Sequence, residues 1–182
     1  MTTMADFYPF LVSSLPMLHF GMKPPFSYEQ FLEICHHRIP DNDYYILSSL
    51  PEPGQYSEYR KGQRTLQKWM DFDTALRNEL VKIRAQRIHA DPAAHLRGGI
   101  IADSSLAASA VAAMGNPLLL EAERAIDEER WKTLDHIATG HHFDVDLLIT
   151  YAYKLLILIR WENVGKADAG RMLEHVLTLP RG

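Results

Sequence analysis

The chain is poor in the residues that advertise chemistry. It has a single cysteine, Cys35, in 182 residues. That excludes an intramolecular disulfide and fits a reducing cytoplasm. It has no GxxxxGK phosphate loop, since Gly165-Lys166 lacks the earlier glycine, and no GxGxxG, GxSxG, HExxH or CxxC. The familiar routes to nucleotide hydrolysis and zinc chemistry are therefore missing, and the chain reads as a non-enzyme with no catalytic residue, cofactor or metal. It also lacks the roughly 18–20 uncharged apolar residues of a membrane span. Its most apolar stretch, YAYKLLILIRW at 151–161, is divided by Lys154 and carries Arg160 near its end. Residues 1–20 contain no Lys or Arg and are interrupted by Asp6, which argues against a secretory signal. Charge of one sign is scarce too. A net charge of −4 with 23% charged residues favours neither nucleic acid nor an anionic membrane.

What remains is helical pattern. The expected fold is all-α, one helical domain over 1–182. Residues 6–21 form an apolar lead-in whose prolines at 9 and 16 disfavour one continuous helix, so FLVSSL reads as a short extended or packed segment. Ser27 and Gln30 have capping-box spacing, which predicts a helix from Ser27 that ends at Pro40. Asp41 or Asp43 caps a second short helix. About 57–90 reads as one long amphipathic helix, with Leu66, Trp69, Leu76, Leu80 and Ile83 at steps near three and four. Asp73 stands where that stripe wants an apolar residue. The segment carries eight cations against four acids, so it is +4 while the rest of the chain is −8. A small-residue helix over 104–114 follows, then an acidic one beginning at Asn116-Pro117 and ending near Gly140. About 144–161, capped by Asp144, predicts a helix apolar nearly all round, which belongs in the centre of a bundle. Gly165 is expected to break it before a final helix near 167–177.

The polar clusters have ordinary readings. Cys35-His36-His37 and His136, His141 and His142 with Asp135 and Asp144 contain ligand types but match no zinc spacing. Solvated histidines near helix ends account for them. Acids from Glu121 to Glu129 read as a solvated face. The basic helix, with its interleaved acids, points to an acidic protein surface rather than nucleic acid. Its candidate contact residues are Arg60, Lys61, Arg64, Lys68, Arg84 and Arg87. Lys154 and Arg160 require partners or a path to water, and Arg160 with Glu121 or Glu123 is the expected buried ion pair. On that reading Arg160→Leu acts on the fold, whereas Arg84→Glu with Arg87→Glu acts on partner binding.

Two stretches carry a family resemblance. FYPFLVSSLPMLHFGMKPPFSYEQFLEIC covers 7–35, and NPLLLEAERAIDEERWKTLDHIATGHHFDVDLLITYAYKLLILIRWENVGKADAGRMLEHVL covers 116–177. They resemble an uncharacterised bacterial family, a domain of unknown function encoded beside the subunits of V-type (archaeal-type) ATPases. The matching positions include Tyr8, Leu11, Leu15, Pro16, Lys23, Pro24, Pro25, Ser27, Phe31, Asn116, Pro117, Glu121, Trp131, Lys154, Arg160 and Trp161. That family is similar, more distantly, to the C-type subunit of those enzymes (the d-type in eukaryotes), an all-helical, non-catalytic funnel between rotor ring and central shaft. Anchored on Arg160, Tyr151 and Lys154 stand where the hallmark of that funnel has Asp and Asn. The resemblance implies a funnel-like accessory or structural subunit of a proton-transporting V-type ATPase. It would be cytoplasmic and peripheral to the inner membrane through the complex, without inserting, and would contact the central shaft or membrane ring. A homodimer of the isolated chain is compatible with this role. The rival readings are a helical assembly module with another partner, and a small metal-dependent enzyme around His136, His141 and His142.

Overall fold

The computed structural model describes residues 7–56, 62–98 and 103–178, with side chains as far as 167. Among these residues there are seven α-helices, one 3-10 turn and no strand, so the protein is all-α. Where the sequence reads as one domain, the chain divides into two compact units. The first joins Met1–Ser48 to Phe143–Gly182, and the second is Ser49–His142. The division follows the packing partners. The last helix packs on the short early ones, while the three central helices pack on one another.

The first unit holds α1 (Pro9–Ser14), α2 (Tyr28–Cys35), α3 (Asp41–Ser48) and α7 (Val145–Thr178). The FLVSSL segment is helical rather than extended. Pro9 sits in the first turn of α1, where its missing N–H and fixed φ cost nothing. The capping box forms as expected. The Ser27 hydroxyl accepts from Gln30 N at 3.2 Å, and Gln30 Oε1 accepts from Ser27 N at 2.8 Å. Ser27→Ala should cost about 1 kcal/mol, read as a lower urea midpoint at unchanged slope. The helix ends at Cys35, short of Pro40, because His37 turns left-handed at φ 60.

Leu148, Ile149, Ala152, Leu155 and Leu158 of α7 are buried, as are Phe31 and Cys35 of α2 and Leu47 of α3. The aromatic centre is Phe31, whose ring lies 5.5 Å from Tyr151 and 5.9 Å from Tyr28. Three polar ties close the unit. Tyr8 Oη donates to Asp43 at 2.5 Å, Tyr28 Oη to the Leu47 carbonyl at 2.6 Å, and Tyr151 Oη to the Pro16 carbonyl at 3.0 Å. Asp144 caps α7, accepting from Leu147 N at 3.0 Å. Gly165 does not break the helix, which runs on to Thr178. An interior glycine costs only about 1 kcal/mol, too little to end a long helix.

The second unit holds α4 (Arg64–Arg87), the 3-10 turn (Ala93–His95), α5 (Ser104–Gly115) and α6 (Leu119–Ile137). The long helix begins later than its charge pattern implies, with Gln63 as its cap, accepting from Leu66 N at 2.9 Å. After α4 the chain doubles back along it. Asn78, mid-helix, exchanges two hydrogen bonds with the Arg97 backbone, at 2.9 and 3.0 Å. Helix α5 then runs parallel to α4, so that Arg87 at the end of α4 donates to the Met114 carbonyl near the end of α5. Helix α6 returns antiparallel. The alanines of α5 allow close approach, and Leu76, Leu80, Leu106, Ala110, Ala113 and Ile126 form the shared core.

Candidate functional site

Charge in the second unit is buried, and it lies elsewhere than the sequence implies. Asp73 is the polar interruption in the α4 stripe, and it faces the core at 1% exposure. Arg130, 57 residues away on α6, donates its Nε to Asp73 Oδ1 at 2.9 Å and its Nη1 to Asp127 Oδ1 at 2.7 Å. Arg77 donates its Nε to Asp73 Oδ2 at 2.7 Å, and Tyr56 Oη donates to the same oxygen at 3.1 Å. Two carboxylates and two guanidiniums cancel. Burial alone would raise the Asp73 carboxyl, but Arg130 and Arg77 outweigh it and hold it below the ordinary aspartate range. Burial likewise opposes the Arg130 charge, and Asp73 and Asp127 reverse that. Tyr56 is pushed up, first by burial and then by the Asp73 charge, so it stays a hydrogen-bond donor.

This arrangement corrects the expected buried charges. Arg160 and Glu121 are exposed and Lys154 is half-buried, so the resemblance-anchored arginine is not the buried one. The apolar surroundings of Arg160 in sequence are misleading because it lies past Leu155 and Leu158, where α7 emerges towards solvent. The sequence marks Asp73 as an interruption but offers no means of pairing it with an arginine inside the acidic helix.

The candidate contact residues do not form one face. Arg60 and Lys61 lie outside the described residues. Arg64 and Lys68, one turn apart, are exposed on the outer side of α4, and Lys82 continues that stripe. Arg84 is sixteen residues beyond Lys68, about 4.4 turns, which places it nearly on the opposite side of the helix. Arg87 is exposed but has a structural task at the α5 carbonyl end. Reversing it would disturb the fold as well as a partner.

Beside the ion network is an open groove of about 540 Å³, lined among others by Tyr56, Gln67, Asp71, Thr74, Arg77 and Arg97. The histidines offer less. His36 and His37 have ring centroids 3.6 Å apart at the end of α2, and His36 meets Tyr44 edge-on at 5.0 Å. His136 lies in the last turn of α6, and His141 and His142 follow it. Cys35 is fully buried and its thiol is pushed up to about 12, by burial first, which leaves it protonated and unsuited to nucleophilic attack. No protein family, curated protein or solved structure matches the chain. No described helix is long and apolar enough to cross a membrane.

Proposed function

We propose that the protein is a non-catalytic accessory subunit of a bacterial V-type ATPase, similar to its C-type funnel and linking components of the complex through protein contacts. The observation that carries this reading is the ordered motif set FYPFLVSSLP, KPPFSYEQFL, NPLLLE and KLLILIRW, spread over both ends of the chain. An all-helical build and a long helix with an exposed cationic stripe support it. In this role Arg64 and Lys68, rather than Arg87, steer an acidic partner surface.

The test is affinity capture of the tagged protein from its native cells in mild detergent, with quantitative mass spectrometry. Shaft and ring proteins recovered near one-to-one support a motor component. Substoichiometric recovery supports an assembly module instead, and their absence overturns the proposal. Arg64→Glu with Lys68→Glu should weaken the association about tenfold at unchanged thermal midpoint, since both side chains are exposed. Undiminished capture by that variant would remove the outer stripe of α4 from the interface.

A further inference from the structure

The groove beside the ion network has opposite charges, Arg97 and Asp71, that form no ion pair among the described residues. Arg97 is held in place by its backbone bonds to Asn78 and by Nη1 donating to the Pro53 carbonyl at 3.0 Å. It has no carboxylate partner among the described residues. Asp71 accepts one hydrogen bond, from Gln67 Nε2 at 2.6 Å, and has no cationic partner among them. The two line the same groove without pairing to each other. Arg77, fixed through its Nε on Asp73, also lines the groove and adds a second guanidinium to it. Thr74 adds a hydroxyl.

Because Asp73 and Asp127 balance Arg77 and Arg130, the groove has no net charge to attract a simple anion. It presents donors for a carboxylate and, separately, an acceptor for an ammonium. Its volume falls within the about 300–1,000 Å³ of small-molecule sites. We infer that this groove binds a small zwitterion, a free α-amino acid, with its carboxylate on Arg97 and Arg77 and its ammonium on Asp71. The inference does not rest on the ATPase role: Asp71 lies one turn beyond Lys68 on the same side of α4, but ligand binding by the isolated chain and capture of partner proteins are separate readouts, so either can fail alone.

The experiment is thermal shift and calorimetric titration of the full chain with each of the twenty common L-amino acids at up to about 10 mM, with acetate and methylammonium as half-ligand controls. At least one amino acid should bind and raise the thermal midpoint, while neither control does. Arg97→Gln and Asp71→Asn should each weaken that binding about tenfold, the scale of one charge-assisted hydrogen bond. Both substitutions leave the ion network and the Arg97 backbone bonds in place, and Arg97→Gln gives up only the exposed bond to the Pro53 carbonyl, so the unliganded midpoint should fall little. Three results overturn the inference: no amino acid binds, acetate binds as well as the best amino acid, or binding survives both substitutions.

Discussion

Asp73→Ala should destabilise the second unit by about 3–5 kcal/mol, the usual cost of stripping one partner from a buried ion pair. The substitution leaves Arg130, at 8% exposure, with Asp127 alone, and strands the Tyr56 hydroxyl and the Arg77 side chain. It also opens a void between α4 and α6. Urea unfolding followed by far-ultraviolet circular dichroism reads the loss as a lower midpoint. Asp73→Asn should cost less, because an amide oxygen still accepts from one arginine. The two variants also differ from wild type in acid. The Asp73 carboxyl is depressed in the folded state, so its contribution is full above the ordinary aspartate value of 3.8 and is lost as pH falls through the lower folded value. Asp73→Asn should therefore flatten the acid limb of the stability profile below about pH 4. An Asp73→Ala variant as stable as wild type would mean that the four charges merely tolerate one another.

Asp73 also marks the limit of what is legible in the sequence. Helix existence is written locally, in caps and periodicity. The Ser27 box, the Asp144 cap and the alanine-rich α5 all form where the sequence places them. Pairing is not local. Nothing in the sequence distinguishes Arg130 from the other charges of an acidic helix, because its partner is set by the antiparallel return of α6. Arg160 fails for the converse reason. A run of apolar neighbours implies burial, yet exposure depends on where the helix leaves its packing partners. The same logic splits the basic stripe, since sixteen residues of helical rotation carry the chain from Lys68 to Arg84, nearly to the opposite side of α4. Gly165 and Pro9 look like breakers in the sequence and are not. One costs little in a helix held elsewhere, and the other sits in the turn that accepts it. The groove is invisible in the sequence because it joins Tyr56 and Arg97 to α4 through a chain reversal that no motif announces.

Phe31→Ala should be the matching loss in the first unit, about 3–5 kcal/mol. Phe31 is completely buried, stacked 5.5 Å from Tyr151, with Tyr28 at 5.9 Å and Phe26 at 6.5 Å. Such ring pairs add about 0.5–1.5 kcal/mol each to the area they bury, so truncation loses contacts as well as volume. The damage should spread along two specific ties. Tyr28 anchors α3 through the Leu47 carbonyl, and Tyr151 anchors the lead-in through the Pro16 carbonyl. Loosening either ring weakens its hydroxyl's hold. Amide exchange measured helix by helix locates the effect. Protection should fall most in α2, α3 and the Leu148–Leu158 part of α7, and least in α4, α5 and α6, whose core of Leu76, Leu80, Leu106 and Ile126 is made within the second unit. Asp73→Ala should give the mirror image. If each variant instead lowers protection equally in all seven helices, the chain unfolds as one cooperative body and the two units are a feature of its contacts, not of its stability.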